Sequence, residues 1–142
     1  MIVIRHTGLV TKNIKKSLNF WCDLIGFKVY KDIIEYGDAI DNILKLKNTK
    51  VRTIKLKDKK KNLLELLHFL KPKKNKIKKT FSNSIGYTHI SITVKDIDKL
   101  CKKLKMHKVK FNSPPQISKD GRVKMTYCQT PEGSFLEIVE EL

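Results

Sequence analysis

The chain contains the same pattern twice, and this repetition limits the folds open to it more than any other feature of the sequence. His6 stands in a short apolar segment, and His89 stands in a second such segment 83 residues further on. At the same offset Ile14, which opens an amphipathic stretch, is matched by Ile97. Because strand, polar turn and helix start recur in register, the sequence predicts two modules of the same topology.

Each repeat continues in the same order. An apolar stripe begins at Ile14 with helical spacing, Asn13 precedes it as a predicted N-cap, and Gly26 is predicted to end the helix. The second helix is predicted to start after Asp96. Extended segments follow each helix, at residues 27–30, 51–56 and 63–67 in the first repeat and at 109–111, 123–128 and 135–139 in the second. Residues 35–46 fit this pattern least well and predict a short helical excursion. The fold class is therefore predicted to be α+β, with two pseudo-symmetric βαβββ modules.

The length of 142 residues is that of one ordinary domain. We predict a single domain over 1–142, with module one at about 1–70, a lysine-rich linker at about 71–84 and module two at about 85–142. A lone module of this size has a marginal core, so the two modules are expected to depend on each other.

Composition excludes several classes of function. The formal net charge is +17, but of 31 basic residues only Arg5, Arg52 and Arg122 are arginines, the residues that bind phosphate in a bidentate manner. We therefore expect no specific nucleic-acid partner. No apolar run approaches the ~20 residues that cross a bilayer, and no secretory signal is visible. The three cysteines are widely spaced, which favours free thiols and a cytoplasmic location.

Four polar residues stand out against their apolar surroundings. Glu65 has two leucines on each side, Glu137 is enclosed in the same way, and His6 and His89 lie in the opening strands. Two imidazoles and two carboxylates are typical ligands of a divalent metal, here Ni, Co, Zn or Mn. The alternative for each residue alone is a satisfied core histidine, or a glutamate paired with one of the many lysines. Their duplication in corresponding strands favours the metal site.

The sequence resembles the vicinal oxygen chelate superfamily, which includes glyoxalase I, bleomycin-resistance proteins, methylmalonyl-CoA epimerase and extradiol dioxygenases. The resemblance is carried by five segments, at residues 5–10, 17–27, 63–67, 86–90 and 130–137. It implies that the paired modules curl into an open, U-shaped β-barrel around a metal. The family's ligand positions fall on His6, Glu65, His89 and Glu137. It also implies a homodimer.

The resemblance further implies an activity. A full His/Glu/His/Glu set is similar to that of glyoxalase I and its isomerase relatives. It implies a metal-dependent lyase or isomerase that chelates neighbouring oxygens of a small, possibly thiol-conjugated substrate and moves a proton through an enediolate. Glu137 is expected to act as the base, with Glu65 as the alternate. A methylmalonyl-CoA epimerase-like racemase and a non-catalytic binding protein are the alternative functions.

Other residues are assigned more modest roles. Arg52 and Tyr127 are candidate pocket residues that would contact an anionic substrate. His68 is predicted to lie on the strand face opposite Glu65, His107 to cap the second helix, and Trp21 to belong to the core.

Overall fold

The computed structural model describes all 142 residues, which form two compact units, Met1–Ile77 and Lys78–Leu142. The first unit contains β1 (Thr7–Val10), α1 (Ile14–Leu18) with a π-helical continuation (Asn19–Ile25), β2 (Lys28–Tyr36), α2 (Asp38–Leu44), β3 (Lys50–Lys57) and β4 (Leu63–Lys71). The second unit contains β5 (His89–Thr93), α3 (Ile97–Met106), β6 (Gln116–Ile117), β7 (Val123–Gln129) and β8 (Phe135–Glu141).

Each unit holds one mixed four-stranded sheet, and the two sheets have the same topology. The strand order is β1-β4-β3-β2 in the first unit and β5-β8-β7-β6 in the second. In both, the opening strand lies parallel to the closing strand, and the remaining pairs are antiparallel. The predicted α+β class with two βαβββ modules is confirmed.

The helix ends follow the sequence signals. The Asn13 side chain accepts a hydrogen bond from the Lys16 amide at 3.0 Å, and Asp96 accepts one from the Lys99 amide at 2.8 Å. These caps satisfy amide groups that have no partner within the helix. Gly26 ends the first helical segment with φ 102°, a left-handed conformation that glycine adopts without strain. No helix in the chain is long and apolar enough to span a membrane.

One face of each sheet forms the core of its unit. In the first unit Ile54 and Leu66 are neighbours on β3 and β4 and are fully buried, as is Trp21, confirming its predicted core position. In the second unit Leu136 and Ile138 of β8 are fully buried, together with three residues of α3, Ile97, Cys101 and Leu104. Burying a large aliphatic side chain stabilises a fold by about 1.5–3 kcal/mol.

The units differ in their edge strands. β2 continues to Tyr36 because it pairs along the whole of β3, whereas the predicted strand ended at residue 30. The predicted strand at 109–111 is reduced to one bridge from Phe111 to Cys128, and pairing with β7 resumes only at Gln116. Pro114 and Pro115 explain this gap, since proline has no amide hydrogen for a sheet ladder. The helical excursion predicted within 35–46 is confirmed as α2.

The core of the first unit gives a direct test of this packing. We expect Ile54→Ala to lower the free energy of unfolding by about 2–5 kcal/mol, because a fully buried aliphatic side chain leaves a cavity. Ile43→Ala is the matched control, since Ile43 is 76% exposed on α2. Chemical denaturation measures both. Equal losses would contradict the assignment of Ile54 to the core.

Candidate functional site

Strand alternation places the unusual glutamates on the sheet face opposite the buried core. On β4, Leu64 and Leu66 point into the core, so Glu65 between them points to the other face. On β8, Leu136 and Ile138 enclose Glu137 in the same way. We call the side that bears the glutamate the site face of each sheet.

The hairpin between β3 and β4 sets the neighbours of Glu65. Asp58 accepts hydrogen bonds from the Lys60 and Asn62 amides at 2.9 and 2.8 Å, which holds the turn at residues 58–62 in one conformation. The resulting register places Lys55 directly opposite Glu65. On the other side of β4, Gly8 of β1 is the partner of Glu65, and its missing side chain leaves that flank open.

His6 meets Glu65 on the site face of the first unit. The distance from His6 Nε2 to Glu65 Oε1 is 3.5 Å, and the side chains are 29% and 12% exposed. That separation is longer than an ordinary hydrogen bond. The other ring nitrogen, Nδ1, is buried and has no hydrogen-bond partner. Nε2 of His6 therefore faces the carboxylate, and no hydrogen bond to Nδ1 fixes the ring.

A lysine also contacts the same carboxylate. Lys55 Nζ lies 3.5 Å from Glu65 Oε2, and the Lys55 side chain is only 21% exposed. The carboxylate thus has the histidine near one oxygen and the ammonium near the other. A largely buried carboxylate requires such a partner. The ion pair with Lys55 therefore explains how Glu65 is tolerated in an apolar strand.

The second unit repeats the histidine and glutamate. His89 Nε2 lies 3.9 Å from Glu137 Oε2, and His89 Nδ1 lies 2.9 Å from the Thr88 hydroxyl oxygen. The partner of Glu137 on β5 is Ser91, which corresponds to Gly8 of the first unit. The hairpin at residues 130–134 sets the register, with the Thr130 amide donating to the Ser134 carbonyl at 3.0 Å.

Tyr127 occupies the position opposite Glu137. Its hydroxyl lies 3.5 Å from His89 Nε2, and its ring packs edge-on against the His89 ring at 5.2 Å between centroids. Burial raises the pKa of the Tyr127 phenol, and the charge of Glu137 and a hydrogen bond to it raise the pKa further. Tyr127 therefore lies on the site face as a neutral hydrogen-bond donor.

Two other residues lie away from this face. Arg52 is the cross-strand neighbour of His68, and both lie on the face opposite Glu65, as the sequence predicts for His68. The Arg52 guanidinium forms a bidentate ion pair with Asp32 at 2.9 and 2.6 Å. Two guanidinium nitrogens of Arg52 therefore bind Asp32, and the predicted contact of Arg52 with a substrate stays a prediction. His68 Nδ1 lies 3.0 Å from the Thr11 carbonyl oxygen.

The donor atoms of each pair fit a divalent cation. Bonds of about 2.0–2.2 Å to a nitrogen and an oxygen place these two ligand atoms roughly 3–3.5 Å apart. The His6/Glu65 separation of 3.5 Å lies at the end of this range, and the His89/Glu137 pair at 3.9 Å would close by a small side-chain rotation. No group of three or more His, Cys, Asp or Glu side chains is arranged to hold a metal ion. The structure thus assembles the predicted ligands as two pairs, and their union on one ion stays a prediction.

Lys55 is the site-face residue that sequence reasoning missed. It lies in an apolar strand and looks like one more of the chain's many surface lysines. The available signal was the hairpin register, because a tight turn at 58–62 brings residue 55 opposite residue 65.

The comparisons with known proteins identify the family of the chain. Residues 3–138 match the Glyoxalase/Bleomycin resistance protein/Dioxygenase superfamily. The chain therefore belongs to this superfamily, as its sequence motifs predicted. No curated protein matches the chain in sequence.

Several solved structures share the fold. A glyoxalase family protein from Bacillus cereus is 19% identical, with a TM-score of 0.90 over 100% of this chain and 95% of that chain. A trypanothione-dependent glyoxalase I from Leishmania major is 18% identical, with a TM-score of 0.66 over 99% and 88%. TnmS3, an antibiotic binding protein from Streptomyces, is 13% identical, with a TM-score of 0.66 over 100% and 98%. The fold thus occurs both in enzymes and in binding proteins.

The coupling of Tyr127 to Glu137 is measurable. We expect Glu137→Gln to lower the pKa of Tyr127, because it removes the negative charge that disfavours the phenolate. The pKa should remain above its ordinary value, since burial is the largest cause of the shift. Ultraviolet titration of the phenolate, with Tyr127→Phe to assign the signal, measures the change. The exposed control Glu141→Gln should leave the pKa of Tyr127 unchanged. If Glu137→Gln also leaves it unchanged, the contact between Tyr127 and Glu137 is contradicted.

Proposed function

We propose that the chain is a divalent-metal-dependent lyase or isomerase of the glyoxalase I-like type. The observation that carries this proposal is the duplicated pair: a histidine Nε2 faces a glutamate oxygen on the site face of each unit, at 3.5 and 3.9 Å. We further propose that His6, Glu65, His89 and Glu137 hold one ion of Ni, Co, Zn or Mn. The pairs that share an ion come from one chain or from two copies of a homodimer.

The proposed chemistry is proton transfer next to a carbonyl group. A bound divalent ion would supply Lewis-acid stabilisation of the negative charge that develops on neighbouring substrate oxygens. Glu137 would take the proton from the adjacent carbon through a carboxylate oxygen. The structure supports Glu137 over Glu65 in this role because Lys55 holds one Glu65 oxygen, whereas the ion-pair partner of Glu137 is His89 alone.

Tyr127 would orient the second half of the site. Its hydroxyl lies between the His89 ring and Glu137 and is kept protonated by burial. A neutral donor at that position can hydrogen-bond a substrate oxygen or hold Glu137 in place without adding charge.

We propose that the substrate is a small anion. The chain carries a net charge of +17, which attracts anions over distances of about a Debye length in a salt-dependent way. Thiol conjugates and acyl-CoA esters both have this character. A cytoplasmic location belongs to the same proposal and is supported by three cysteines that are all free thiols.

A specific observation favours a second candidate, a non-catalytic binder of small molecules. The Lys55–Glu65 ion pair neutralises one carboxylate without a metal, so the first unit can be stable with no ion bound. The antibiotic binding protein TnmS3 has the same fold. This candidate predicts that the chain retains no metal and has no turnover.

Metal binding is the first test. We expect the chelator-treated chain to rebind Ni, Co, Zn or Mn at about one ion per protein chain. His6→Ala and His89→Ala should each weaken binding by at least roughly tenfold, because each removes a nitrogen ligand. His107→Ala is the matched control, since His107 caps the C-terminus of α3 and lies outside both pairs. Calorimetric titration measures all four proteins. Wild-type protein that binds none of these ions would favour the binder.

Activity is the second test. We expect the metal-loaded protein to isomerise the methylglyoxal–glutathione adduct, and Glu137→Gln to slow turnover by about 10²–10⁴-fold because the general base is lost. Epimerisation of methylmalonyl-CoA, assayed in parallel, would instead indicate the racemase. Glu65→Gln compares the two glutamates. A larger loss of turnover in Glu65→Gln, at saturating metal, would transfer the role of base to Glu65.

A further inference from the structure

The two units differ in charge at the position that faces the glutamate on the neighbouring strand. Lys55 stands directly across the sheet from Glu65, and Tyr127 stands directly across from Glu137. The first unit therefore places a full positive charge beside its carboxylate, where the second unit places a neutral hydroxyl.

The contacts of Glu65 show what this charge does. Glu65 Oε1 faces His6 Nε2 at 3.5 Å, and Oε2 faces Lys55 Nζ at 3.5 Å. Each carboxylate oxygen thus has one polar neighbour. A cation bound between His6 and Glu65 would contact Oε1. The second oxygen lies beside the ammonium, so a cation that took Glu65 as a bidentate ligand would have to displace Lys55.

The position of Lys55 makes this contact persistent. Lys55 lies on β3, which is paired on both sides by β2 and β4, and its side chain is 21% exposed. A lysine held in this way cannot turn fully into solvent without leaving the largely buried Glu65 carboxylate with only the His6 ring beside it. Its charge therefore stays within a few ångström of any cation bound between His6 and Glu65.

We propose that Lys55 competes with the divalent ion for Glu65 and tunes the affinity of the site. It limits Glu65 to one ligating oxygen and adds electrostatic repulsion toward the bound ion. Lys55 acts through Glu65 and is a positioning residue. This inference rests on the proposed metal site, and its test distinguishes failure of the metal site from failure of the competition by Lys55.

The test is a titration of chelator-treated protein with Co²⁺. We expect Lys55→Met to bind Co²⁺ roughly tenfold more tightly than the wild type, because a like charge near the ion is removed and Glu65 Oε2 is released. Lys55→Arg keeps the charge and should remain within about threefold of the wild type. The visible absorption of bound Co²⁺ reports the change in ligand number independently of affinity.

Lys57→Met is the matched control. Lys57 lies two residues further along β3, and its ammonium lies 4.1 Å from the centre of the Tyr30 ring rather than beside a glutamate. Lys57→Met removes one unit of positive charge from β3, as Lys55→Met does. Equal tightening in Lys55→Met and Lys57→Met would reduce the effect to net charge and overturn the proposal.

The remaining outcomes are distinct. Co²⁺ binding of equal or weaker affinity in Lys55→Met overturns the competition while leaving the metal site intact. Binding by Lys55→Met but not by the wild type supports the competition and overturns the proposal that the native chain holds a divalent ion. Binding by neither protein overturns both proposals. Circular dichroism verifies that the variant is folded, and Lys55→Gln replaces it if the methionine variant is not.

Discussion

A largely buried carboxylate in an apolar strand has to be neutralised, and the candidate site follows from the two ways in which this chain neutralises Glu65 and Glu137. Both glutamates lie between core-facing aliphatic residues, so alternation alone fixes the face on which they emerge. In the first unit an ammonium and an imidazole share the carboxylate. In the second unit an imidazole lies near the carboxylate, and the neutral Tyr127 phenol occupies the facing position on the neighbouring strand. The chemistry available to each half differs because the counter-groups differ.

Much of the fold was predictable because its signals are local. Caps at Asn13 and Asp96 and the glycine at position 26 mark helix ends through contacts made within a few residues. Alternation on β4 likewise predicted that His68 lies on the face opposite Glu65. The lengths of β2 and β6 were not predictable in this way, since a strand extends only as far as its partner and its own amide hydrogens allow.

The histidines and glutamates of the candidate site were easier to predict from the sequence than the residues that contact them. The repeat identified the histidines and glutamates, and the structure places each histidine beside its glutamate. Sequence reasoning assigned Lys55 no role, because strand register, which residue type does not reveal, decides that it stands beside Glu65. The ion pair of Arg52 with Asp32 depends on the same register, and the predicted contact of Arg52 with a substrate stays a prediction. The family relationship defines the fold, and these local pairings decide which of the family's functions the chain can support.

The turn at residues 58–62 has a consequence for how this chain can change during evolution. Surface loops usually accept added or lost residues, but here Asp58 fixes a length that sets which β3 side chain stands beside Glu65. A one-residue insertion or deletion that shifted the hairpin register would exchange Lys55 for a neighbouring aliphatic residue and would expose core side chains on the wrong side. The length of this exposed turn is therefore as constrained in evolution as a buried position.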